Sequence, residues 1–130
     1  SALDYDELVD LVEKDMTFSE RLTFLQSFSS YRLVVEGDRI GVVTDCQSYP
    51  SLVASRIVDC MGADACVAYL KRSDGFHVSV YTRDGVSAYA IAEHISEGKP
   101  FGGHEHAVGL VLDRFDEDSA IRALKMSLMG

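Results

Sequence analysis

Gly102-Gly103-His104 is where the residue types and spacing of this chain most plainly offer chemistry. Glycine has no Cβ, so a glycine pair lets backbone N–H groups come close to a bulky anion. An imidazole directly after the pair adds one more donor. The chemistry on offer is recognition of a phosphate oxygen, not bond making. The structural alternative is a glycine-rich turn whose histidine only satisfies a backbone carbonyl. Arg83 follows a strand-like run ending at Thr82. It is placed either to clamp a phosphate with two parallel hydrogen bonds or to pair with Asp84 in a solvated turn. Ser79, with Thr82, offers a hydroxyl contact. His104 and His106 flank Glu105 at a spacing that sets two imidazoles on one side of an extended segment. No third ligand stands near them in sequence, so no metal site is expected. His77 and His94 read as ordinary half-buried residues. No phosphate-cradling Walker loop, dinucleotide-binding glycine motif or nucleophile elbow occurs, and nothing in the spacing of Ser, His and Asp points to a catalytic set.

These residues need elements to hold them. Leu8, Leu11, Val12 and Met16 recur at helical spacing, and Thr17-Phe18-Ser19-Glu20 is a capping box that opens a second helix burying Leu22, Leu25 and Phe28. Strand-like runs Tyr31 to Val35 and Arg39 to Val43 join across Glu36-Gly37-Asp38. A helix opens at Ser48-Tyr49-Pro50 and turns Val53, Ile57 and Met61 inward, with Gly62 as its stop. Ala65 to Leu70 and Phe76 to Thr82 flank Ser73-Asp74-Gly75, a strong hairpin signal. A helix from about Val86 to Ile95 leads into the glycine–histidine loop. Ala107 to Leu112 is a last strand, and Asp116 caps a last helix. The order αα-ββ-α-ββ-α-β-α predicts a single α/β (α+β) domain, with a mixed sheet of about five strands flanked by helices.

At 130 residues the chain suffices for one core. Its net charge of −9 argues against a large duplex footprint but leaves room for a short strand or a single phosphate. Acids crowd the first thirty residues and recur at Asp113, Asp116, Glu117 and Asp118. Cys46, Cys60 and Cys66 are odd in number and lack metal-ribbon spacing, as expected of free thiols in a reducing compartment. No run approaches the roughly 20 apolar residues of a membrane helix, and the N-terminus lacks signal-peptide zones, so cytoplasmic residence without a membrane partner is expected.

Within Val42 to Leu112 the chain resembles the C-terminal accessory domain of the DHH phosphoesterase superfamily, which includes RecJ-like exonucleases and oligoribonucleases. Three stretches carry the resemblance in order: Val78-Ser79-Val80-Tyr81-Thr82-Arg83, then Val86 to Ala92, then Gly102-Gly103-His104-x-x-Ala107-Val108-Gly109, close to the pattern GGGHxxAAG. The resemblance implies that residues 31–130 form a substrate-binding domain and that residues 1–30 are a helical linker or interdomain segment. Gly102, Gly103 and His104 would form a phosphate-binding loop, with Arg83 as its cationic clamp and Ser79 beside it. The implied ligand is a short single-stranded nucleic acid or a small phosphoester. The implied partner is a DHH catalytic domain in the same longer chain, holding two manganese ions that activate water. No cofactor and no catalytic residue are expected in this chain, and edge strands leave a homodimer open.

The departures are Phe101 for a glycine, Tyr81 for a strand arginine and Val108 for an alanine, together with the lack of an Asp-His-His tripeptide. By itself the chain is therefore expected to hydrolyse nothing. The alternatives are an independent small-anion-binding domain and a protein-interaction module docking through its acidic helices.

Overall fold

A computed structural model describes residues 16–130. The helix expected around Leu8, Leu11 and Val12 lies outside the described residues. Helix α1 (Phe18–Gln26) starts where the capping box expects it. The Glu20 N–H donates to Thr17 Oγ1 at 3.1 Å, and the Thr17 N–H donates to the Glu20 carboxylate at 3.3 Å. Although α1 falls in the stretch set apart as a linker, its Leu25 is fully buried in the cluster that holds Ile40, Ile57 and Cys66. Arg21 ties the same helix to the Gly62 carbonyl at 3.0 Å and to the Asp64 carboxylate at 3.4 Å.

Strands β1 (Arg32–Glu36) and β2 (Arg39–Asp45) form an antiparallel hairpin. Helix α2 (Pro50–Asp59) then crosses to β3 (Ala65–Arg72), which pairs parallel with β2. Strand β4 (Gly75–Thr82) folds back on β3 across the two-residue turn Ser73-Asp74, with Gly75 paired to Arg72. Helix α3 (Ala88–Ile95) is followed by β5 (Gly102–His104), β6 (Ala107–Leu112) and α4 (Glu117–Met129). The sheet order is β1-β2-β3-β4-β6-β5. The described residues thus form a mixed α+β domain with a six-stranded sheet, one strand more than the pattern suggested.

The sixth strand comes from the stretch expected as a loop. Gly102–His104 is not a free loop but one arm of a tight hairpin, with Gly102 opposite Gly109 and His104 opposite Ala107. Three residues with no apolar alternation leave no strand signal, yet the two-residue connection Glu105-His106 forces them alongside β6.

Strand alternation divides the core in two. Val43, Val67, Val78, Val80, Val108 and Leu110 face α3 and α4. Ile40, Val42, Cys66 and Ala68 face the other way, onto α1 and the inward side of α2, where Ala54, Ile57 and Val58 are buried. Each fully buried Ile or Val side chain contributes about 1.5–3 kcal/mol. On this second face α2 packs over β3 and β4. The floor beyond it, over β6 and β5, is uncovered: Gly109 is exposed and Val111 is 48% exposed.

Candidate phosphate-binding groove

The uncovered floor forms an open groove of about 570 Å³. One wall is the first turn of α2, at Pro50 and Ser51; the other is the Pro100-Phe101 approach to β5. His77 and Ser79 of β4, Gly102 of β5 and Gly109 of β6 form the floor between them. A smaller hollow continues along the strands past Ser79 to Tyr81 and Ala107.

Gly102 and Gly109 are cross-strand partners, and a Cβ built on either would meet nothing within 4 Å. The pair therefore leaves the floor sterically open to a ligand, while its own backbone groups are paired within the sheet. As the sheet edge, β5 also presents one row of its backbone groups to solvent. Gly103 is different. Its φ is +144°, and a Cβ there would lie 2.5 Å from the Ala107 carbonyl oxygen and 2.7 Å from Val108 Cα. Glycine at 103 is required by its own hairpin, whatever binds nearby.

His104 is exposed and makes no hydrogen bond or ion pair among the described residues. It sits opposite Ala107, at the far end of the groove floor. His106 does not join it. Its Nδ1 lies 3.2 Å from the Thr82 hydroxyl and its Nε2 3.3 Å from the Asp84 carboxylate, which pins the ring to the β4–α3 turn. Among the described residues no three His, Cys, Asp or Glu side chains gather into a metal site.

Arg83, expected as the clamp, does not line the groove. Its guanidinium donates to the Val58 carbonyl at 3.0 Å, near the C-terminus of α2, where a cation also complements the helix dipole. The expected Asp84 pairing is likewise not made by Arg83; Asp84 faces His106. Tyr81, which stands where a strand arginine was expected, donates from its phenol to Asp59 at 3.2 Å. Burial, then the Asp59 charge, pushes that phenol above its ordinary range. Arg83 turns to the end of α2, away from the bare floor, and Tyr81, bonded at the same helix end, lines the smaller hollow.

Of the expected residues, the structure brings Ser79 and Gly102 together, with His104 at the edge, and leaves Arg83 elsewhere. It adds Ser51, Gly109 and His77. Ser51 carries no sequence signal, because its position depends on how α2 lies across the sheet. Gly109 had one: a glycine on the outward side of an otherwise apolar strand marks a place where something approaches the backbone.

No family model matches the chain, and no curated protein does. One solved structure shares its fold. An exopolyphosphatase-related protein from Bacteroides fragilis is 14% identical over 97% of this chain and 38% of its own, with a TM-score of 0.50. An uncharacterized protein from Helicobacter pylori G27 is 19% identical over 75% of this chain and 27% of its own, with a TM-score of 0.45. The chain thus spans well under half the length of either. No helix among the described residues is long and apolar enough to cross a membrane.

Proposed function

We propose that this chain is the substrate-binding accessory domain of a DHH-type phosphoesterase, holding the phosphates of a short single-stranded nucleic acid or small phosphoester in the β4–β6–β5 groove. The observation that carries the reading is the bare Gly102–Gly109 pair, flanked by Ser79 and Ser51 and bordered by an unpartnered His104. The serine hydroxyls and the imidazole are the donors, and the paired glycines leave room above the floor, which suits one or two phosphates and not a long duplex. The sequence resemblance over Val42 to Leu112 supports it, as does the fold shared with an exopolyphosphatase-related protein. The domain positions a substrate, in the cytoplasm, for a catalytic half elsewhere in a longer chain, whose two manganese ions supply the activated water. Ser79, Gly102 and His104 then bind; Gly103 shapes the hairpin that presents them, and Arg83 braces α2.

A second reading, an independent anion-binding module, is favoured by one observation: Tyr81 and Arg83 are both committed to α2, so the groove has no arginine clamp.

The test is groove filling. Gly109→Val adds side chain into open space and should leave unfolding unchanged while abolishing binding of a thymidine trinucleotide by isothermal calorimetry. His104→Ala should weaken binding and His94→Ala should not. Equal affinities across all three variants remove the groove from consideration.

A further inference from the structure

The groove as described lacks a cation, and the residue best placed to supply one is His77. It lies in mid-β4, lines the groove with Ser79, Gly102 and Gly109, and its Nε2 is 2.7 Å from the Asp74 carboxylate. We propose that His77, oriented by Asp74, is a phosphate-binding residue of the groove that acts as an imidazolium, so that ligand binding takes up a proton. This rests on the phosphate reading of the groove given above.

The geometry sets the chemistry. With Nε2 engaged by a carboxylate, that nitrogen carries the hydrogen and Nδ1 is the free one. It makes no bond among the described residues. In the neutral ring Nδ1 is a lone pair, which repels a phosphate oxygen; in the imidazolium it is a donor. Only the protonated ring, held on one side by Asp74, can therefore bridge to an anion on the other. The hydrogen bond from His77 holds the Asp74 carboxyl below its usual range, with Arg72 contributing, so Asp74 stays ionised to balance the ring.

The other neighbours leave this balance undisturbed. Across the sheet His77 faces Leu70 on β3 and Val111 on β6, neither charged. Pro50 and Ser51 of α2, and Pro100 and Phe101 beyond β6, carry no charge. Lys99 is engaged by Asp113. The remaining imidazole of the site is His104, at the far end of the floor.

The experiment follows a ligand that does not itself titrate near neutrality: a thymidine trinucleotide without terminal phosphates. Its Kd is measured from pH 5.5 to 8.5 for the 130-residue chain and for His77→Gln, His104→Gln and Gly109→Val. The unaltered chain should lose roughly tenfold in affinity per pH unit above the histidine range for each required imidazolium. His77→Gln should bind about tenfold more weakly at pH 6 and lose one proton's worth of that slope. By proton NMR the His77 ring pKa should rise when ligand is added, and the His94 ring pKa should not. If the chain binds and Gly109→Val abolishes binding, but His77→Gln keeps both affinity and slope, the groove stands and the role of His77 is overturned. If the unaltered chain binds at no pH, both fall.

Discussion

Gly102 and Gly103 are adjacent, and the sequence offers no way to tell them apart; the structure predicts that alanine at each has a different outcome. At 103 the backbone φ of +144° is one that a side chain rarely tolerates, at a cost of about 1–3 kcal/mol. The new Cβ would also stand 2.5 Å from the Ala107 oxygen and 2.7 Å from Val108 Cα. Both are backbone atoms, so no side-chain rotation relieves the clash and β5 must move off β6. Each ladder hydrogen bond lost in that movement adds about 1 kcal/mol. Since β5 is a three-residue edge strand, it can peel away without unfolding the rest, which limits the total to about 2–4 kcal/mol. For a domain of this size that lowers Tm by about 10 °C. Gly102→Ala meets nothing within 4 Å and should change stability by no more than about 0.5 kcal/mol. Thermal unfolding followed by circular dichroism, with urea titration as a second measure, reads both. Equal losses at the two positions, or an unperturbed Gly103→Ala, would refute the division of labour drawn here.

Arg83→Met removes the donor to the Val58 carbonyl and should cost about 1–2 kcal/mol in urea unfolding without altering trinucleotide affinity; lost affinity at unchanged stability would restore Arg83 as the clamp. Burial, then the nearby Cys66, pushes the Tyr31 phenol up to about 12. Because the folded value is raised, the unfolded chain loses its proton first. Stability held below pH 10 should therefore fall between about pH 10 and 12, and ultraviolet titration that ionises Tyr31 near 10 would contradict this. Manganese added to the chain should yield no phosphodiesterase turnover, and genuine turnover would overturn the accessory-domain reading.

Most of the fold was legible because its signals are local. The Thr17–Glu20 capping box, Gly37 and Gly62 at positive φ, and the hairpin at Ser73-Asp74-Gly75 each follow from a few adjacent residues. Strand β5 was not legible, since its pairing is imposed by a two-residue turn and a glycine that yields to the facing backbone, with no pattern of its own. The site was half legible. Ser79, Gly102 and His104 lie where strand register carries them. The direction of Arg83 was not legible, because it depends on α2, whose Val58 carbonyl, twenty-five residues earlier in sequence, accepts from its guanidinium. His77 was passed over because a lone histidine in a strand is ordinary until Asp74 and an open floor are found beside it.

A net charge of −9 appears hostile to an anion-binding groove, but the acids near the C-terminus already have structural work. Glu117 and Asp118 hold Arg32 at 3.2 and 3.0 Å, Glu117 also accepts from Tyr69, Asp116 caps α4, and Asp113 takes Lys99. Glu117, Asp118 and the Asp116 cap serve the face covered by α3 and α4, across the sheet from the bare floor. Among the described residues Asp74 bonds His77 of the groove floor, and Asp59 bonds Tyr81 in the hollow beyond it. A phosphate approaching Gly102 and Gly109 therefore meets a local balance set by an imidazole bonded to a carboxylate, two serines and a floor free of side chains, and the global charge acts only through screened distance. On the function proposed above, such a site binds its anion with a strong dependence on proton concentration, as suits an accessory domain that places a short substrate before a catalytic partner and lets it go again.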